Sequence, residues 1–335
     1  MRHRSRILWT LAAVTMTALV LWWMLDAKVI AELGSAVRHA RVWRLLIALS
    51  MVPLIQLVRA MRFDLMLTGQ LRRPSYELYR IGALLVFFNY ALPFRTGELS
   101  FPLLAKQRLG IGVASSTGVL VFTRVLDLVA VVALAAATGS VVLSMGVGSL
   151  SRGALVVVAV GGGLVMLAMP IMGRFTHVGA LRALRRFPKA SGFIDKLFAG
   201  LHNLRTVRQQ VGSLVLTLLV WALQFVLSYN AASAVSDLSL PQIMFAHSAA
   251  SLAFALPING VAGVGPTQAA WALALERTGE SFELGVTTAL IWHAVPVLGA
   301  VLLAAVVASP PRRASEPAAS ESSGELGDPA SPRDL

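Results

Sequence analysis

Cysteine is absent from the 335 residues. That excludes disulfides, thiolate metal sites and cysteine nucleophiles. Charge is scarce too: Asp, Glu, Lys and Arg make up 13% of the chain, where a soluble protein carries about a quarter. With 56% hydrophobic residues, the deficit makes lipid the solvent for much of the surface. Acidic residues are the scarcer sign, 16 against 29 Lys and Arg, for a formal charge of +13. The basic residues sit in the links between apolar runs, so an anionic membrane surface is the expected partner and nucleic acid is not. Nucleotide fingerprints are missing as well. Gly161-Gly162-Gly163 lies inside an apolar run with no Lys-Ser/Thr after it, and Gly263–Gly265 matches no phosphate loop. His202, His247 and His293 have no carboxylate or histidine at metal-ligand spacing, and a lone histidine on an apolar helix is read as packed. No cofactor, metal or catalytic residue is expected.

What is present is a series of apolar runs. Arg2, Arg4 and Arg6 precede Ile7–Leu25, which is too long for a signal h-region and ends at a Trp pair without a cleavage site, so it reads as a retained first span. Asp26–Arg44 has Val29, Ile30, Leu33 and Val37 at helical spacing among basic residues, the pattern of an interfacial amphipathic helix. Further spans are expected over Trp43–Leu67, Tyr79–Pro93, Val113–Ala137, Gly153–Met172, Gly212–Ala234, Pro241–Pro257 and Phe282–Val307. The link Gly173–Gln210 carries eight Lys/Arg and a second amphipathic pattern at Phe193, Leu197, Leu201 and Leu204. From Ser309 the chain is rich in Ser, Pro, Glu and Ala and reads as a disordered tail. The expected class is all-α: a polytopic membrane bundle of about eight spans over residues 1–308, followed by the tail 309–335. The expected location is the cell (inner or plasma) membrane, as a multi-pass protein. Counting basic residues per side favours both ends outside, but the eight charges of one link dominate that count and suit a surface helix on either leaflet.

The bundle reads as two halves, roughly 1–150 and 151–308. Ala91-Leu92-Pro93 recurs as Ala255-Leu256-Pro257. Each ends an apolar run and opens a Gly-containing elbow. Each elbow leads to a semi-polar segment, a Leu-Gly pair (Leu109-Gly110, Leu284-Gly285) and a last span. Span–elbow–span is thus repeated, with a re-entrant or interfacial helix in each half, and paired interrupted segments point to a transporter's binding site. The first elbow region is the better equipped. Asn89 stands one turn before Leu92-Pro93, Arg95, Gly97 and Glu98 lie in the elbow, and Arg124 and Asp127 sit mid-span at i and i+3. Charges at this depth are expensive and mark binding or transport paths. Arg59 and Arg62, three apart near the end of a span, either snorkel to the headgroups or guide an anionic headgroup inward. In the second elbow Asn259 and Gln268 are polar but uncharged.

Pro93-Phe94-Arg95-Thr96-Gly97-Glu98 resembles the P-G-R-x-G-E elbow of the lysylphosphatidylglycerol synthase transmembrane (flippase-like) family. Thr123-Arg124-x-x-Asp127 resembles that family's E-R-x-x-D span, and residues 257–268 its P-x-P-G-G-x-G-x-x-E element. The resemblance covers about residues 7–307. Phe94, Thr123, Asn259, Gln268 and His293 stand where the family pattern has Gly, Glu, Gly, Glu and Arg, which weakens the electrostatics of the second half. The aminoacyl-transferase domain of lipid-modifying members is not part of this sequence. The resemblance implies lipid translocation or handling, without lipid aminoacylation.

The chemistry agrees with that class. Arg95 and Arg124 can hold a phosphate through planar, permanently charged guanidiniums. Glu98 and Asp127 can balance them, or receive an amine or sugar hydroxyls, and the amides of a helix starting after Pro93 would add an anion site. Alternatively, Arg124–Asp127 and Arg95–Glu98 are ion pairs that lock the elbow into the bundle. The expected function is a flippase or lipid-transport protein, not an enzyme, whose partners are membrane lipids and a separate lipid-modifying enzyme. The alternatives are a membrane enzyme acting on a lipid-linked glycosyl or aminoacyl substrate, or a non-catalytic partner of one.

Overall fold

The computed structural model describes residues 27–68, 75–92, 97–142, 149–172, 206–255 and 264–308. The first span at Ile7–Leu25, most of the basic link and the tail lie outside them. Among the described residues there are ten helices and no strands, so the chain is all-α. They are α1 (Ala27–Arg38), α2 (Val42–Thr68), α3 (Tyr76–Ala91), α4 (Ser100–Leu109), α5 (Val113–Val142), α6 (Ser149–Met172), α7 (Val207–Ala232), α8 (Leu240–Ala255), α9 (Pro266–Glu276) and α10 (Phe282–Ala308). Four of them, α2, α5, α7 and α10, are long and apolar enough to cross a membrane. The protein is a multi-pass membrane protein.

Local chemistry sets the helix ends. Ser75 caps α3 by accepting from the Leu78 amide, so α3 begins three residues before the apolar run does. Thr206 and Gln209 form a reciprocal capping box, which starts α7 at Val207 and not at Gly212. α4 ends on Gly110, whose φ of 67° suits glycine best. It begins at Ser100, after a tight turn over Gly97–Leu99, so its first amides lie further along than a start directly after Pro93 would put them.

α3 and α8 have 16 residues each, about 24 Å of helix against a hydrocarbon core of about 30 Å. Both stop immediately before the repeated Leu-Pro pair. Tyr90 and Phe254, the residues just ahead of each Ala-Leu-Pro, touch with ring centroids 5.9 Å apart. The neighbours also correspond. α2 packs against α7. α3 packs on α10 as α8 packs on α5, and α1 packs on α10 as α6 packs on α5. The close fit of α6 on α5 is made at Gly162, which faces Ala133, in keeping with the packing role expected of that glycine run.

The direction of the central pair is informative. The Arg41 amide donates to the Ala234 carbonyl, Leu65 lies against Gly212, and Arg62 reaches Thr217. α2 and α7 are therefore antiparallel. Eight strictly alternating spans would make these two, the second and the sixth, parallel; the observed direction does not fit that simple count.

α1 is docked rather than free on an interface. Val29 is buried against Ala272 of α9 and Val286 of α10, while Ile30 and Val37 remain exposed. Partial burial, and secondarily the Glu283 carboxylate, push the Glu32 carboxyl above its usual value. The folded state then holds its proton more tightly than the unfolded chain, so stability falls as pH rises through that carboxylate range. Glu32→Gln is expected to raise the melting temperature slightly at neutral pH and to have no effect well below the carboxylate range. A melting series from acid to neutral pH checks this, and an effect of opposite slope would contradict it.

Candidate functional site

A cavity of ≈ 390 Å³ lies between the two halves. Three helices of the first half and its elbow give it an ionic side. Arg59 comes from α2, Asn89 and Tyr90 from α3, Glu98 from the tight turn, and Arg124 and Asp127 from α5. The second half gives it a neutral side: Trp221 and Gln224 of α7, His247 and Ser251 of α8, Thr267 of α9, and Trp292 and His293 of α10.

The ionic side is a chain of charges. Arg62, buried behind the wall with 2% of its side chain exposed, grips Asp127 in a fork: Nη1 donates to Oδ1 at 2.6 Å and Nη2 to Oδ2 at 3.0 Å. The same Nη1 donates to Thr217 Oγ1 at 3.2 Å. One arginine thereby ties α2 to both α5 and α7. Arg124 Nε lies 3.0 Å from Glu98 Oε1, an ion pair that holds the tight turn to α5, and Arg124 Nη1 is 3.8 Å from Asp127 Oδ2. Arg59, half-buried, reaches Gln224 Oε1 at 3.4 Å. Among the described residues three guanidiniums thus face two carboxylates. Arg62 forks onto Asp127 and Arg124 pairs with Glu98, while the hydrogen bond of Arg59 goes to an amide and its charge is set against Asp127.

The neutral side is built around His247. Its Nδ1 shares a hydrogen bond with Ser228 Oγ at 2.8 Å, and Ser228 Oγ accepts from Trp292 Nε1 at 2.8 Å. Trp221, Phe225 and Trp292 all meet the imidazole edge to face, and Trp292 stacks on Trp271 with centroids 4.6 Å apart. His293 meets Tyr90 edge to face at 5.6 Å. Besides the Glu98–Arg124 pair, three lining residues each have a buried polar atom that makes no hydrogen bond among the described residues: Gln56 Nε2, Asn89 Oδ1 and Trp221 Nε1. Such atoms cost free energy unless something polar meets them. No group of three His, Asp or Glu placed to hold a metal occurs among the described residues.

The model of the family described as the lysylphosphatidylglycerol synthase TM region matches residues 8–304, most of the chain. The chain belongs to the lysylphosphatidylglycerol synthase transmembrane-region family. No curated protein and no solved structure is significantly similar to it. Membership ties the fold to the lipid metabolism and transport with which this family is associated, as the resemblance of the elbow and mid-span motifs implied.

Within this family member, the structure rearranges the expected charge pairs. Asp127 pairs along its own helix with Arg124, as expected, at 3.8 Å, but its closer, forked partner is Arg62, 65 positions away in sequence. The snorkelling reading of Arg62 is corrected by the same contact, because the guanidinium turns inward to a carboxylate and not outward to headgroups. Arg59 follows it inward and lines the cavity. Glu98 was expected to pair with Arg95. Arg95 and Asn259 lie outside the described residues; among those described, Glu98 faces Arg124. Gly97 and Gln268 do not line the cavity. Gly97 is pressed on the last turn of α3, and Gln268 Oε1 accepts from the Gly265 amide at 2.7 Å, shaping the start of α9.

Residues not singled out from the sequence also reach the cavity: Gln56, Gln224, Trp221 and Trp292. A signal existed for the first two. Gln56 lies three residues before Arg59, and Gln224 is a lone amide in an apolar run three residues after Trp221, which puts each pair on one helical face. His247 is packed, as expected of such a histidine, but it also borders the cavity.

Proposed function

We propose that this protein is a lipid-transport protein of the flippase type that takes an anionic or zwitterionic lipid headgroup into the cavity between its halves. The observation that carries this reading is the exposed end of the ion-pair chain, Arg59, Glu98, Arg124 and Asp127, on the wall of a cavity inside a membrane bundle. A headgroup crossing hydrocarbon must exchange its water for polar contacts, since bare transfer of a charge costs many kcal/mol. Guanidiniums supply those contacts to a phosphate. When the cavity is empty the carboxylates offset most of the guanidinium charge, so the site is not a bare cationic patch before a phosphate arrives.

The half-length helices belong to the same reading. α3 with α4, and α8 with α9, are re-entrant hairpins that enter and leave on one side. Counting each as no crossing makes α2 and α7 antiparallel, as observed. The two halves are then inverted copies with their elbows entering from opposite faces, an arrangement typical of transporters that open alternately to each side. Transport without chemistry on the lipid is proposed, with any lipid-modifying step left to a separate enzyme.

The test is a full-length protein reconstituted in vesicles of mixed phospholipids, with loss of a reporter lipid from the outer leaflet measured by chemical quenching. Wild type is expected to accelerate exchange, and Arg124→Ala to slow it by about tenfold or more, because the phosphate loses a charged donor and Glu98 is left unpaired. Exchange no faster than in protein-free vesicles, for every lipid tried, would sink the reading.

A further inference from the structure

The two hairpins decide which face of the molecule meets which side of the membrane. We propose that the face on which the first hairpin, α3 with α4, opens is cytoplasmic and fits an anionic leaflet, and that the second, α8 with α9, opens on the outer side. This rests on the re-entrant hairpins of the reading above, and sidedness is measured apart from transport.

Contacts at the helix ends define the two faces. At the mouth of the first hairpin Arg108 of α4 donates to Glu77 of α3 at 3.2 Å, so α3 starts where α4 ends. Arg80 donates to the Ala308 carbonyl at 3.1 Å, which puts the end of α10 on the same face. Residues 69–75 join α2 to α3, and 110–112 join α4 to α5. Both stretches are too short to reach across a hydrocarbon core of about 30 Å, so α2 ends and α5 starts on this face. Leu65 against Gly212 adds the start of α7. On the opposite face Gln242 of α8 donates to Glu280, just beyond α9, at 2.8 Å, so the second hairpin closes there. The Arg41 amide donates to the Ala234 carbonyl, which adds the start of α2 and the end of α7. Residues 143–148 and 277–281 bring in the starts of α6 and α10.

Neither hairpin crosses, and the basic residues change sides accordingly. Counting Tyr79–Pro93 and Pro241–Pro257 as crossings sends Lys106, Arg108 and the basic stretch 174–208 to the side away from the tail, which is why that count favours the ends outside. With hairpins, the sequence from Met172 to Val207 starts and finishes on the face that holds the end of α10. That face then has Arg72 and Arg73, Lys106 and Arg108, the eight Lys/Arg between 174 and 208, and Arg312 and Arg313 just past α10. The opposite face has Lys28, Arg38, Arg41 and Arg44 around the α1–α2 corner, with Arg152 and Arg277, and no Lys or Arg in 143–148 or 233–239. Lys and Arg accumulate in short cytoplasmic links and are drawn to the anionic lipids of that leaflet.

Carboxylates sharpen the contrast. Asp237, Glu276, Glu280 and Glu283 stand among the cations of the outer face, and Asp237 is paired with Arg41 at 2.8 Å. Stretches 69–75 and 174–208 hold one acid between them, Asp195. Lys106 and Arg208 are exposed on the basic face. The hairpin that carries Glu98 is thus inserted from the cytoplasmic side, and the hairpin that carries His247 from outside.

A chain without cysteine makes the test direct. Single cysteines are placed at exposed ends of each hairpin in the full-length protein: Tyr76→Cys and Gln107→Cys for the first, Leu240→Cys and Glu276→Cys for the second. A membrane-impermeant maleimide is applied to cells before and after lysis. Leu240→Cys and Glu276→Cys are expected to be labelled in intact cells. Tyr76→Cys and Gln107→Cys should show no labelling until lysis. Fusions after Leu335 give a second readout that needs no reactive thiol. A fluorescent protein that matures only in the cytoplasm should emit, and a phosphatase active only outside should be silent. If a cysteine stays unlabelled even after lysis, the fusions decide. The reverse labelling pattern, or an active phosphatase fusion, overturns the proposed sidedness and leaves the hairpins and the transport reading in place. Opposite sidedness for the two ends of one hairpin overturns it together with the hairpins, while lipid exchange in vesicles still judges transport by itself.

Discussion

Arg62→Ala is expected to cost about 3–5 kcal/mol of stability, because it strands a buried carboxylate without its fork. Asp127 would retain Arg124 at 3.8 Å and the more distant charge of Arg59, and Thr217 would lose its donor. Because Arg62 joins α2 to both α5 and α7, the damage should appear as a lower melting temperature of the whole bundle and as poor recovery of monodisperse protein. Removing both partners is different. Arg62→Met with Asp127→Leu replaces the pair by apolar groups of similar length, and such replacements are often neutral, so the double variant should melt well above Arg62→Ala. Asp127 also borders the cavity, so the double variant should still lose lipid exchange. Thermal melts of the three proteins check the ordering. An Arg62→Ala protein as stable as wild type would mean that the fork does not hold the helices together.

Gly97→Ala is the second large effect. A Cβ at this position would press into the main chain of Phe88 and Asn89 in the last turn of α3. Main chain cannot step aside as a side chain does, so the tight turn must lift away from α3. The expected loss is at the upper end of the about 1–3 kcal/mol typical of overpacking. Glu98 would move with the turn, so its pairing with Arg124 and lipid exchange should fall together. Gly82→Ala is the control. The atom in its way is Gln56 Nε2, the far end of a flexible amide, which can rotate off. Gly82→Ala should therefore melt close to wild type. If the two variants behaved alike, the fit of the elbow on α3 would not be what holds Glu98 in place.

Much of this was legible in the sequence because membrane chemistry is unforgiving. A mid-span charge such as Arg124 or Asp127 must have a purpose, and Leu92-Pro93 must end a helix, since proline withdraws a donor and constrains the residue before it. Partners were harder. Spacing along one helix suggested Arg124–Asp127, since i and i+3 are neighbours. Nothing in one-dimensional spacing shows that α2 lies beside α5, and so the forked partner of Asp127 came from 65 residues away. Arg59 and Arg62 illustrate the same limit. An arginine near the end of an apolar run snorkels or turns inward according to what the neighbouring helix offers. The neutral wall was the least visible. Trp221 and Trp292 have ordinary residue types for an apolar span, and only the three-dimensional meeting of α7, α8 and α10 makes them a surface.

The exchange of neighbours between the halves bears on how such a chain could have arisen. α3 leans on α10 of the other half, and α8 leans on α5. A single half would keep its own long helices but leave the side of its half-length helix open to solvent or lipid. It would be complete only against a second, inverted copy of itself, meeting along the line where α2 now meets α7. Carrying both surfaces in one chain also lets them differ: here residues before 150 bring the charges to the cavity, and residues after it bring the indoles.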